Sequence, residues 1–215
     1  TTTPPSKELE PLREYIDIFC PISNDRDKER WDERLAAGCE FWTYTCIGPL
    51  APWPNAQLYN RLYEIRILFW QVWLYKIHGF LYWHSQAYYH GDYGFAYNGY
   101  GDGWFLYEID GILYDSIRWE MFLEGQEDYE YLWLLNATLT YLTTHPGLIA
   151  DLELLELQNS FKSIINSIAG EKYHYCQHVL TLYEGRNKIG FILDSLSNLL
   201  NYTSLGEMLW VPPRK

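Results

Sequence analysis

The sequence predicts an α/β fold: about four parallel strands, each followed by a helix, as in half of a (β/α)8 TIM-type barrel, and then a helical tail. Three observations predict it. Up to Gly125, short β-branched and aromatic runs alternate with helical periodicity, the pattern of a parallel sheet. The helix-to-strand turns are tight (Ala37-Gly38-Cys39, His78-Gly79) and the strand-to-helix connections long. In such folds that asymmetry puts function at the strand C-terminal ends. Beyond Gly125 the periodicity is helical only.

Residues 1–14 read as a flexible, polar, Pro-containing lead-in, 15–125 as the half-barrel, and 126–215 as a helical extension packing on it. The first strand is 15–20 (YIDIFC), ended by Pro21. Asn24 or Asp25 is placed to cap a helix over 27–37, which Gly38 stops. Residues 40–47 (EFWTYTCI) form the next strand, and 48–55 (GPLAPWPN) a loop with three prolines. A long helix is expected over 59–78 and a third strand over 79–83. A loop rich in Gly, Tyr and acids follows over 88–111, and loops of that length inside a compact domain are usually functional. The fourth strand is predicted at 116–121, and a helix with acids at its positive end over 127–144. Pro146-Gly147 breaks that helix; further helices are expected over 148–169, 173–183 and 188–201.

Composition narrows the functional classes. The 215 residues are 48% hydrophobic and 20% charged, which suits one domain with a real core. The net charge of −12 argues against nucleic acid and against an anionic membrane surface, both of which attract basic patches. No apolar run is long enough for a membrane span. Aromatic residues reach 18%, with 10 Trp and 20 Tyr. Rings mixed with Asp, Asn and Gly suit a carbohydrate ligand: rings stack on its C–H faces, and carboxylates and amides take its hydroxyl protons. The four cysteines form no CxxC pair, and no phosphate loop, nucleophile elbow or zinc motif is present, so neither a cofactor nor a metal is expected. His174, Cys176 and His178 lack a further ligand and read as surface residues. The sequons at Asn136 and Asn201 favour a secretory-pathway or extracellular location.

Six residues are candidate substrate contacts. Trp42, Tyr44 and Cys46 share one face of their strand, and Leu81 and Trp83 share one face of theirs; Tyr44 and Trp83 are expected at the mouth, with core packing as the alternative. Asp102, between Gly101 and Gly103, is either a ligand contact or the head of an Asx turn. Asn55 closes the Pro-rich loop in a similar way. Arg118 and Glu120, two apart on the predicted strand, point the same way and are expected to pair with each other or with Asp17, a structural network or a site. Cys20 and Cys46 end neighbouring strands, which permits a disulfide or two buried thiols.

Taken in order, YIDIFCP, FWTYTCIGPLAPWPN, a helix bearing Arg66, GFLYW, GDG, SIRWE and EGQEDYEYLWLL form a series that resembles the C-terminal half of the glycoside hydrolase family 123 catalytic domain. The resemblance covers roughly residues 16–135. It implies the back half of a (β/α)8 barrel and a β-N-acetylgalactosaminidase that uses substrate-assisted catalysis, in which the sugar's own acetamido group attacks the anomeric carbon. An adjacent Asp-Glu pair orients that group and acts as acid/base; in the family it precedes the region matched, so this chain is expected to lack it. Asp32-Glu33 falls mid-helix and Glu127-Asp128 at a helix start, and neither fits the pair. The sequence departs from the family pattern in two places: Leu123 stands where an Arg is usual, and Glu108-Ile109 follow Tyr107 where Pro-Gly is common. The expectation is therefore a carbohydrate-active part-barrel without its own acid/base, completed by a second polypeptide or a further copy. The alternative is a non-catalytic assembly subunit or sugar-binding protein reusing the half-barrel.

Overall fold

A computed structural model describes residues 15–25, 28–87 and 101–209, with the backbone alone for 28–31 and 201–209. The lead-in, residues 26–27 beside the expected helix cap, and 88–100 of the long loop lie outside the described residues. The chain divides into two compact units, 1–125 and 126–215.

In the first unit, β1 (Ile18–Phe19), β2 (Glu40–Thr45) and β3 (Gly79–Tyr82) form a parallel sheet in the order β1-β2-β3. The register pairs Phe19 with Phe41, and Trp42 through Thr45 with Gly79 through Tyr82. Helix α1 (Lys28–Ala36) joins β1 to β2, and α2 (Tyr63–Leu74) joins β2 to β3. Three of the expected strands thus lie side by side in one direction. Helix α2 is shorter than its periodicity suggested and buried from Tyr63 through Val72, as expected of a helix apolar on all sides. Its buried Glu64 turns back onto the helix start, accepting from Arg61 N (3.3 Å) and Asn60 Nδ2 (2.6 Å).

The register sorts side chains onto two faces. Phe19, Phe41, Thr43, Thr45, Phe80 and Tyr82 share the face toward the helices. Phe19 stacks on Phe41 at 5.5 Å, and the Arg34 guanidinium of α1 lies over Phe19. Phe80 meets Phe69 of α2 at 5.6 Å. Phe122 joins this ring cluster, 6.3 Å from Phe69 and 5.0 Å from Phe105. Ile18, Glu40, Trp42, Tyr44, Gly79 and Leu81 share the opposite face, where they are half-buried or exposed. Gly79 is required there, because a Cβ would meet the Trp42 ring at 2.5 Å.

The predicted fourth strand is corrected. Residues 117–121 open a helix, α3 (Ile117–Thr144), and the strands before it are an antiparallel hairpin, β4 (Leu106–Ile109) with β5 (Ile112–Asp115). Asp110 (φ 53°) and Gly111 (φ 77°) make its two-residue turn, as Asp-Gly does in tight hairpins. Ser116 caps α3, its Oγ accepting from Trp119 N at 3.3 Å. Because 118 and 120 are helical, Arg118 and Glu120 do not share a face, and the expected pairing fails: Arg118 is buried, while Glu120 and Asp17 are exposed. The parallel sheet therefore has three described strands.

The second unit holds the rest of α3, α4 (Asp151–Ala169) and α5 (Val179–Leu209), the last running through two helices expected separately. Leu132, Leu135, Leu142, Ile168, Leu182 and Ile189 are fully buried. The buried Asp128 carboxylate accepts from Arg186 Nε at 3.1 Å, and that guanidinium covers the Tyr131 ring. Among the described residues, no helix is long and apolar enough to cross a membrane.

Candidate functional site

Chemistry-bearing residues gather where β1, β2 and β3 end. Beyond β2 the chain crosses a loop with cis bonds at Gly48-Pro49 and Ala51-Pro52. Asn55 holds this loop from within. It is fully buried, its Nδ2 donates to Cys46 O (2.9 Å) and Pro49 O (3.0 Å), and its Oδ1 accepts from Ala56 N (2.7 Å). An amide with its hydrogens so engaged braces a loop and has no donor left for a ligand. Gln57, equally buried, donates to Cys46 O and to Asp102 Oδ1.

Asp102 lies in the turn between Gly101 (φ 72°) and Gly103 (φ 74°), which Trp104 N closes onto Gly101 O at 3.1 Å. Residues around that turn pair with the chain after β3: Ala87 N donates to Gly103 O (2.9 Å) and Phe105 N to Ser85 O (3.0 Å). The carboxylate is thereby brought to the end of β3. Its Oδ1 accepts from Tyr82 Oη at 2.6 Å and its Oδ2 from Trp83 Nε1 at 2.7 Å. Burial raises the Asp102 carboxyl, opposed by the hydrogen bonds from Tyr82, Trp83, Gln57 and the Ile47 backbone. Burial and Asp102 together push the Tyr82 phenol far up, so it stays protonated and donates. Asp102 is only 4% exposed, while the Trp83 ring it grips is 50% exposed.

Arg118 joins the two loops from the first turn of α3. One terminal nitrogen donates to Ala56 O (2.9 Å) and Gly101 O (3.3 Å), and the other to Trp104 O. Its guanidinium stands 5.2 Å from the Phe105 ring centre. A buried cation served by three carbonyls and a ring is a brace. Glu120 sits apart on the exposed side, hydrogen-bonded to Asp115, and that bond raises its carboxyl. Tyr44 is half-buried on the open sheet face, its phenol raised by burial first and by Cys46 and Cys20 after it. Cys20 is a buried free thiol and Cys46 a half-buried one, each raised by burial.

So the structure brings together Asn55, Trp83, Asp102 and Arg118, sets Tyr44 on the adjoining face, and leaves Glu120 outside. Sequence reasoning missed Tyr82 and Gln57 as partners of Asp102. Tyr82 alternates with Phe80 and reads as core; Gln57 stands two residues past Asn55 in the same loop, the one available signal. Asn136 is exposed on α3, but Thr138 of its sequon is buried, with Oγ1 donating to Leu134 O at 2.8 Å; the side chain of Asn201 lies outside the described residues. Among the described residues, no three groups gather to hold a metal ion.

No curated protein matches the chain. The family model described as "Glycoside hydrolase 123, catalytic domain" matches residues 7–135, more than half of the sequence and the whole of this site. The strand-end cluster of Asp102, Trp83 and Arg118 is thus part of a glycoside hydrolase-like domain, and the chain belongs to the glycoside hydrolase 123 catalytic-domain family.

Proposed function

We propose that this chain is the sugar-contacting part of a β-N-acetylgalactosaminidase-type barrel, without the Asp-Glu acid/base pair of its family. The observation that carries this is the one-sided cover of the sheet. Helices pack on the Phe41 and Phe80 face, while Ile18, Trp42, Tyr44 and Leu81 stay half-buried or exposed on the other. In a barrel the face away from the helices is the packed interior. A second polypeptide or a further copy, bringing further strands, would bury this one and supply the reactive carboxylates. Trp83 and Tyr44 then stand at the mouth as ring surfaces for a sugar, and Asn55, Asp102 and Arg118 hold the loops around them.

The test uses a chromogenic β-N-acetylgalactosaminide and free N-acetylgalactosamine. The chain alone is expected to bind the free sugar and to leave the glycoside uncleaved. Cleavage by the chain alone would overturn the missing-acid reading, and failure to bind would overturn the carbohydrate reading. A second reading, an assembly subunit reusing the fold, draws on one observation: Asn55 and Arg118 are used internally and offer nothing to a ligand. It predicts neither binding nor cleavage, with the open face buried in a complex.

A further inference from the structure

An indole at half exposure ordinarily gives its N–H to water, and its ring then samples several rotamers. Trp83 does not. Its Nε1 donates at 2.7 Å to Asp102 Oδ2, a charge-assisted bond of the stronger class. The other carboxylate oxygen is held by Tyr82 Oη at 2.6 Å and Gln57 Nε2 at 3.5 Å. Gly101 and Gly103 flank the carboxylate in a turn whose φ values of 72° and 74° suit glycine. A Cβ on Gly103 would press on Ala87 at 2.8 Å and His84 O at 3.0 Å, so the turn is seated tightly. Behind it, Arg118 ties the backbone of Gly101 and Trp104 to Ala56. A chain of contacts therefore runs from the core to one edge of a half-exposed ring, with the His84 ring 5.3 Å away.

We propose that Asp102 is a positioning residue: it does not meet the ligand, but fixes the Trp83 indole as a rigid stacking surface for a sugar ring. This rests on the carbohydrate reading above and departs from the simpler expectation that Asp102 itself contacts the ligand. A carboxylate 4% exposed and engaged by four donors has little left to offer a hydroxyl. The ring, pre-set, binds without first losing rotamer freedom, which is how preorganisation raises affinity.

The test combines Asp102→Asn, Trp83→Phe and the double variant, with 15N-labelled indoles followed by NMR and N-acetylgalactosamine as the probe. In the unaltered chain, the resonance that Trp83→Phe removes should lie downfield, exchange slowly with water and shift on sugar addition. Asp102→Asn should move that one signal upfield, leave the other nine in place and weaken sugar binding about tenfold. Trp83→Phe keeps a ring but loses the N–H, and should weaken binding by a similar factor. The double variant should be no weaker than either single one, because Asp102 acts through the indole. Losses that multiply would show Asp102 touching the sugar itself and would overturn the proposal while the carbohydrate reading stands. An indole signal unmoved by Asp102→Asn would overturn it too. No binding by the unaltered chain, with the indole signal still dependent on Asp102, would instead sink the carbohydrate reading. Should Asp102→Asn fail to fold, the loss on Trp83→Phe alone decides: undiminished affinity overturns the proposal.

Discussion

At the scale of single residues, Asp102 couples the site to pH. Its folded value is raised above the ordinary 3.8, with burial as the first cause. A raised acid is ionised at greater cost in the folded chain than in the unfolded one, so its contribution works against folding once pH exceeds the folded value. As pH falls through that value toward 3.8 the penalty disappears. Urea unfolding of the unaltered chain and of Asp102→Asn should therefore show the former gaining relative stability as pH is lowered from neutrality toward 4. A gap constant with pH would mean that the carboxyl titrates normally. Legibility at this scale was partial. Asp102 was marked by its two glycines, because backbone freedom is written in residue type. Its partners were not, because the bond from Tyr82 depends on which way a strand residue faces and on a loop twenty residues away. Asn55 and Arg118 were singled out as contacts for their chemistry, yet both turn inward: a polar side chain recognises a nearby carbonyl as readily as a ligand.

At the scale of elements, two substitutions separate packing from propensity. Gly125 lies within α3, where alanine is the better helix former by about 1 kcal/mol. A Cβ there would drive into the Phe69 ring, itself wedged against Phe80 and Phe122. Gly125→Ala is thus expected to destabilise by about 1–3 kcal/mol in denaturant unfolding; a gain would show that Phe69 yields freely. Arg118→Ala leaves the carbonyls of Ala56, Gly101 and Trp104 without their donor. Its cost should be about 3 kcal/mol, with the 101–104 turn opening first, readable as faster amide exchange at Trp104. The three parallel strands were legible because short apolar runs bounded on one side by Pro or Gly leave few alternatives. The hairpin was missed although Asp110-Gly111 is a strong turn signal, since an aromatic, Gly-rich neighbourhood reads as one long loop. Residues 116–121 read as a short strand, yet Ser116 at their head is a cap on a helix.

At the scale of the whole molecule, charge and surface pull in opposite directions. A net charge of −12 keeps copies apart, while Ile18, Trp42, Tyr44 and Leu81 present an apolar sheet face. Salt screens the first and leaves the second nearly untouched. The isolated chain is expected to bind a hydrophobic dye and to associate more strongly as salt rises, followed by light scattering over a range of concentrations. A monomer at every salt and concentration, with no dye binding, would contradict an open sheet face.

The β4–β5 ribbon carries a practical consequence. It is two strands wide, every residue of β5 is exposed, and its Asp110-Gly111 tip touches nothing that a Cβ on Gly111 would reach. A ribbon so narrow is held by its own ladder and one edge of the core, and its tip is a natural site for inserted sequence. A short epitope placed between Asp110 and Gly111 would give antibodies a handle on the native particle, and so a direct test of whether the proposed partner is retrieved with it from its natural source.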